Sequence, residues 1–250
     1  MFNFFADESA RQGDYFYISG SDYNHIKNVL RMKIGDEFLV SSEGISSLCC
    51  LDGFEEDSAV ARILEENYQS TDLPIKIYLF QGLPKADKME LIIQKCVELG
   101  VHAIIPTEMS RCVVKLDDKK KKSKTQRWQT IAESAAKQSK RSAVPEVYDC
   151  ISYKEALAMA KDLDILMVPY ESKDGMESTV NALSKIKNGS SVGIIIGPEG
   201  GFEDSEVEKA MENGGEVISL GKRILRTETA AITAVGMVML HSEMNLGGDE

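Results

Sequence analysis

The sequence predicts an α/β fold: a mostly parallel sheet over residues 72–250, preceded over residues 1–71 by a small β-rich domain. Three observations predict it. From Ile75 onward, apolar runs of strand length alternate with helical patterns, as in successive βαβ units. Between Val192 and Ile196 every residue but Gly193 is β-branched. Such an unalternating run suits a strand buried on both faces of a parallel sheet. Before Ser70 the pattern changes to short alternating segments punctuated by Gly13, Gly20, Gly35, Gly44 and Gly53, which suits a small barrel or sandwich.

In chain order, Tyr15–Ile18, Glu37–Val40 and Ser47–Leu51 read as strands, with one helical stretch over Asp22–Arg31. The polar stretch Ser70–Pro74, closed by proline, marks the boundary. Ile75–Gln81 is the first strand beyond it. Lys85–Leu99 is a helix, with Met89, Ile92, Ile93, Cys96 and Leu99 at helical spacing. Val101–Ile105 follows, then a basic helix over Thr125–Lys140 whose Trp128, Ile131 and Ala135 face inward. Val147–Ile151, helix Lys154–Lys161 and Ile165–Pro169 continue the alternation. Val192–Ile196 precedes a helix over Asp204–Glu212, and Val217–Leu220 precedes a last helix, Thr229–Glu243. That last helix is apolar over much of its circumference, so it belongs in a core or at a subunit interface.

Composition narrows the function. Hydrophobic residues make up 43% and charged residues 28%, as in ordinary globular proteins. No apolar stretch approaches the roughly 18 residues that cross a bilayer, so no membrane role is expected. The N-terminus turns acidic at Asp7 and lacks the basic start of a signal peptide. Five cysteines, one pair of them vicinal and none in a CxxC, give neither a disulfide framework nor a zinc site. His25, His102 and His241 are isolated, so no metal centre is expected. These features predict a protein of the reducing cytoplasm.

The net charge of −11 alone argues against a polyanionic partner. Its distribution argues the other way. Arg111 to Arg141 holds eleven Lys and Arg against three acids, Asp117, Asp118 and Glu133. A local patch, more than net charge, sets the field a polyanion meets. The run Lys119–Lys124 is either a solvated loop or part of a binding face, and the flanking Arg111, Lys137, Lys140 and Arg141 favour the face.

Two Gly-bearing loops carry the chemistry. Gly197-Pro198-Glu199-Gly200-Gly201 leaves the buried run Val192–Ile196, and Gly221 begins a basic and apolar turn between Val217–Leu220 and the last helix. Open α/β sheets bind ligands outside the carboxyl ends of their strands. The first loop is acidic, with Glu199, Glu203, Asp204 and Glu206 and no cation from Gly197 to Val207. Neither GxxxxGK[ST] nor GxGxxG occurs, so a di- or triphosphate is disfavoured. A neutral or cationic ligand such as the sulfonium cofactor S-adenosylmethionine fits that charge. A tight turn using its glycines only for positive φ is the alternative.

Gly197-Pro198-Glu199-Gly200-Gly201-Phe202, followed by Leu220-Gly221-x-Arg223-Ile224-Leu225-Arg226-x-Glu228-Thr229-Ala230, resembles the signature of the RsmE family. These are 16S rRNA uridine-N3 methyltransferases of the SPOUT class. The resemblance extends over nearly the whole chain, through Lys88-Met89-Glu90 with Gln94–Val101, through Arg127–Arg141, and through His25 and Val29–Lys33 with Gly35-Asp36 near the start. It implies a SPOUT-type parallel sheet with a C-terminal trefoil knot, and an N-terminal PUA-like RNA-binding barrel. It further implies bound S-adenosylmethionine, a homodimer through the knotted domain, and a substrate uridine in 16S rRNA of the small ribosomal subunit. The alternatives are a SPOUT methyltransferase acting on another RNA site or on the ribose 2′-hydroxyl, and a non-catalytic RNA-binding assembly factor. One departure stands out: the family's usual Arg before the first aromatic pair is Asn3 here.

The same resemblance assigns roles. Arg226 and Arg223 are expected to hold uracil oxygens or RNA phosphates, since guanidinium forks match planar oxygen acceptors. Glu228 or Glu199 is the expected proton acceptor, with helix capping the competing role for both. Gly197, Glu199, Gly200, Gly201, Leu220, Gly221, Ile224, Leu225, Thr229 and Ala230 are expected to wall the cofactor. Arg31, Lys33, Arg111, Lys137 and Arg141 are expected to contact RNA, affinity from backbone contacts carrying no sequence choice.

Overall fold

The structure is a computed structural model that describes residues 1–69, 71–170 and 175–246. Ser70, at the expected boundary, lies outside the described residues. The chain divides into two compact units, one formed by Met1–Asp72 with Ala136–Val144, the other by Leu73–Ala135 with Pro145–Glu250.

The first unit is a six-stranded mixed sheet. Its strands are β1 (Asn3–Phe5), β2 (Arg11–Gln12), β3 (Tyr15–Ser19), β4 (Glu37–Ser42), β5 (Ile45–Phe54) and β6 (Ser58–Glu65), in the order β1-β4-β5-β6-β3-β2. Only β1 and β4 pair in parallel. Alternation along β3 buries Phe16 and Ile18 against Phe4, Phe38, Val40 and Leu51. Two register shifts along the β5–β6 pair, at Leu48/Cys49 and Leu51/Gly53, are irregularities of the kind that bend a strand and tighten its twist. The helical stretch has the expected length but lies two residues earlier, over residues 20–29. Helix α1 (Gly20–Asn24) runs into a π turn over His25–Val29, and Arg31 then adopts φ of +53°, which ends it.

In the second unit a parallel sheet holds β7 (Lys76–Gly82), β8 (Ala103–Glu108), β9 (Glu146–Val147), β10 (Ile151–Ser152), β11 (Ile165–Pro169), β12 (Ser191–Ile196) and β13 (Gly215–Ile218). The order is β10-β8-β7-β12-β11-β13, with β9 also paired to β8. Its helices are α2 (Lys88–Glu98), α3 (Asp118–Ser139, whose last four residues belong to the first unit), α4 (Tyr153–Ala160), α5 (Glu177–Leu183), α6 (Asp204–Glu212) and α7 (Thr227–Leu246). The strand Ser191–Ile196 is central, buried from Val192 to Ile196. From β7 the chain builds outward through β8 to one edge and returns through β11 and β12 on the other side. β7 and β12 therefore flank the switch point, where a crevice opens beyond the strand ends.

Several boundaries differ from the sequence expectation. The single strand Val147–Ile151 is instead two dipeptides that pair with opposite ends of β8. Helix α2 starts at Lys88, three residues late, because Ala86 sits at φ +53°. The lysine run is helical, forming the first turns of α3. The Asp117 carboxylate accepts the Lys120 N–H at 2.9 Å, and lysine is a good helix former. The last strand lies two residues earlier than expected, because Ser219 is drawn off by the Thr179 hydroxyl, which donates to its carbonyl at 2.7 Å and accepts from its N–H at 3.0 Å. All five cysteines are free and buried, as small hydrophobes are. Among the described residues no helix is long and apolar enough to cross a membrane.

Candidate functional site

Two loops and a helix start meet at the switch point: Leu83–Asp87 after β7, Gly197–Glu203 after β12, and the first turn of α7, which the turn Ser219–Arg226 leads into from β13. Close approach is built into the glycines. A Cβ on Gly82 would stand 2.7 Å from the Pro198 nitrogen, and one on Gly197 would stand 3.2 Å from both Gly201 C and the Phe202 ring. Thr227, the first residue of α7, locks the arrangement. Its hydroxyl donates to the Gly197 carbonyl at 2.7 Å and accepts from Gln81 Nε2 at 2.9 Å. All three residues are buried. Hydrogen bonds in such a setting are costly to break, because an orphaned partner keeps its desolvation penalty of about 1–3 kcal/mol.

The charged groups of the site gather around one cation. Lys88 Nζ lies 2.9 Å from Glu199 Oε1 and 3.5 Å from Glu228 Oε2. Glu199 also accepts the Lys85 N–H at 2.9 Å. The bond to Glu199 holds the Lys88 ammonium above the ordinary lysine value, against the opposing pull of desolvation. Burial alone would raise the Glu199 carboxyl; the Lys85 N–H and the Lys88 ammonium outweigh it and hold the carboxyl below its ordinary value. A lowered carboxyl stabilises its partners above its unfolded value and loses that as pH falls through the folded one; a raised ammonium is lost only as pH climbs past the lysine range. The pair is therefore intact at neutral pH.

The two carboxylates separate in role. Glu199 does not cap α6, since Glu203 and Glu206 form that helix's capping box. Glu228 stands in the first turn of α7, where a carboxylate is favoured. Its Oε2 is fully enclosed and makes no hydrogen bond. Two residues earlier, Arg226 is exposed, and among the described residues neither it nor Arg223 has a side-chain hydrogen bond or ion pair. Leu220, Gly221, Leu225 and Ala230 are half-buried and Thr229 is exposed. Ile224 departs from its expected place in an apolar wall: its side chain is 90% exposed.

Arg111, expected to face RNA, is exposed and lies against the glycine loop. Its Nη1 donates to the Gly200 carbonyl at 3.1 Å, and the N–H of neighbouring Ser110 donates to Glu206 at 2.9 Å. In the first unit Arg31 and Lys33 are exposed. Lys137 and Arg141 are not displayed as expected. Lys137 pairs with Asp22 at 2.8 Å. Arg141 is only 6% exposed and pairs with Asp72 at 3.2 Å; burial pulls its guanidinium down and Asp72 opposes that. Both serve as internal ion pairs of that unit. Asn3, at the family's usual arginine position, is likewise internal: its Nδ2 donates to the Arg141 carbonyl at 2.9 Å, and its Oδ1 accepts from Ser41 at 3.0 Å.

The residues that sequence reasoning missed are Lys88, Gln81 and Thr227. A signal existed. β7 has the apolar run Ile77–Phe80 and ends in Gly82, so the rule that directs attention to carboxyl-end loops points to Lys85 and Lys88 as well.

Residues 71–239 match the family described as an RNA methyltransferase domain, and residues 18–63 match an RNA methyltransferase PUA domain. The chain is 44% identical to ribosomal RNA small subunit methyltransferase E of Bacillus subtilis, with 94% of this chain and 93% of that protein covered. It is 35% identical to the protein of the same name from Mesomycoplasma hyopneumoniae, covering 93% and 96%. Among solved structures it superposes, with a TM-score of 0.81 and 31% identity, on the Neisseria gonorrhoeae ribosomal RNA small subunit methyltransferase E bound to S-adenosyl methionine, covering 96% of this chain and 97% of that one.

Proposed function

We infer the activity from one premise: the chain belongs to the ribosomal RNA small subunit methyltransferase E family, and is an rRNA methyltransferase dependent on S-adenosylmethionine. The reaction we propose is methylation of N3 of one uridine in 16S rRNA of the small ribosomal subunit, in the cytoplasm. The observation that carries this reading is the meeting of Glu199, Lys88 and Glu228 beyond the carboxyl ends of β7 and β12, with Glu228 two residues after Arg226, whose side chain has no hydrogen bond or ion pair among the described residues.

The residues present fit a cationic cofactor. Two carboxylates share one ammonium, and one carboxylate oxygen is enclosed without a hydrogen bond. When bound, S-adenosylmethionine supplies an electrophilic methyl group on a sulfonium. Gly197, Glu199, Gly200, Gly201, Leu220, Gly221, Leu225, Thr229 and Ala230 would hold it, largely through backbone groups. The fully exposed Ile224 side chain leaves only that residue's backbone for this wall. Arg226, with Arg223, holds the uracil oxygens and stabilises the charge that spreads onto them as N3 loses its proton. Glu228 accepts that proton, its position at the start of α7 being fixed by the neighbouring Thr227 lock.

Exposed Arg31, Lys33 and the lysine-rich start of α3 supply the phosphate contacts. The loops after β12 and β13 form a trefoil knot in this reading, and α7 pairs two copies. Exposed Leu240 and Met244 on α7, at 52% and 74%, support a second copy there. The test is transfer of labelled methyl from S-adenosylmethionine to small ribosomal subunits lacking this modification, beside large subunits as control. Incorporation confined to small subunits is expected. Measured cofactor binding without transfer to small subunits would overturn the substrate assignment.

A further inference from the structure

Lys88 stands where helix physics disfavours it. It is the first residue of α2, at the positive end of the helix dipole, where cations are destabilising. No side chain caps that terminus. The offset comes from two carboxylates on other elements: Glu199, 2.9 Å away in the loop after β12, and Glu228, 3.5 Å away in the first turn of α7. All three side chains are at least two-thirds buried, at 30%, 25% and 14% exposure. The contacts are unequal. Glu199 has two donors, Lys88 and the Lys85 N–H, whereas among the described residues the near oxygen of Glu228 has only the longer contact with Lys88. A short shift of the Lys88 ammonium, on a stem with four rotatable carbons, would exchange a bond to Glu199 for one to Glu228.

We propose that Lys88 is a positioning residue shared by the two carboxylates, one ammonium that holds the cofactor loop through Glu199 and orients Glu228 against the substrate base. The proposal deepens the methyltransferase reading and rests on it for the role of Glu228; the link to Glu199 stands on the ion pair alone. It predicts that cofactor affinity and turnover both respond to this residue, each through a different partner.

The test uses the full-length protein with Lys88→Met and Lys88→Arg. Calorimetry gives the dissociation constant for S-adenosylmethionine, and methyl transfer to small subunits gives kcat. Lys88→Met is expected to weaken cofactor binding about tenfold and to lower kcat about tenfold, the usual scale for losing a charge-assisted partner. Lys88→Arg should recover both to within about threefold, the cation being kept. Two double-mutant cycles separate positioning from bulk structure. In the first, Lys88→Met adds nothing to the affinity loss of Glu199→Gln. In the second, Lys88→Met adds nothing to the kcat loss of Glu228→Gln. Additive losses in both cycles, or no recovery by arginine, would reduce Lys88 to a helix-terminus residue and overturn the proposal. If the wild-type protein binds cofactor but transfers no methyl group, the activity reading fails, and the affinity cycle with Glu199 still decides whether Lys88 positions the loop.

Discussion

Arg226→Ala is expected to lower kcat for methyl transfer by about 10²–10³-fold, the range measured when a preorganised donor to developing negative charge is removed. Cofactor affinity should stay within about twofold, because the guanidinium lies outside the Gly197–Gly201 loop and makes no hydrogen bond or ion pair with it. The effect should appear in kcat because the interaction forms only as uracil gains charge. No side-chain hydrogen bond or ion pair among the described residues is broken, so the denaturant midpoint should move little. Single-turnover transfer to small subunits, beside calorimetric titration of S-adenosylmethionine, separates these outcomes. A large loss of cofactor affinity with turnover preserved would move Arg226 from the substrate to the cofactor.

Gly201→Val is expected to act the other way. Gly201 sits at φ +68°, and a Cβ placed there would meet nothing within 4 Å. The substitution therefore does not fill space. It penalises the left-handed backbone conformation, where a β-branched residue is strained by roughly 1–3 kcal/mol. Relief of that strain displaces the Gly197–Gly201 turn, whose Gly201 N–H donates to the Pro198 carbonyl at 2.9 Å. Cofactor dissociation should rise about tenfold or more, with kcat at saturating cofactor reduced far less. Gly201→Ala, lacking the branch, should fall between. Equal affinities for the glycine and valine proteins would show that this turn does not hold the cofactor.

The parallel sheet was legible because its central strands are largely buried on both faces, so Ile77–Phe80 in β7 and Val192–Ile196 in β12 read as runs without polar alternation whatever their partners. The two glycine loops were legible for a related reason: sharp turns at strand ends need glycine locally. The remainder depends on pairs distant in sequence. Lys85 and Glu199 are 114 residues apart, and Asn3 and the Arg141 carbonyl are 138 apart; neither has a local signature. Charge is the least readable property of all. Arg141 reads as part of a basic face, yet it is buried against Asp72. Lys120 and Lys121 sit in the same run of lysines, but they pair with Asp117 and Glu108 while the run coils into α3. Ile224 reads as apolar lining and stands in solvent, because nothing in the turn Gly221–Arg226 fixes which way it points. Sequence places such residues on an element; the pairing of elements decides what each one touches.

The most direct test of the central claim is the identity of the methylated nucleoside. Small subunits lacking the modification would be treated with this protein and S-adenosylmethionine, their 16S rRNA digested, and the product nucleoside identified by mass spectrometry against synthetic standards. The account predicts N3-methyluridine, at one position, lost with Arg226→Ala. A ribose-methylated nucleoside, or a methyl group on any base other than uracil, would contradict it.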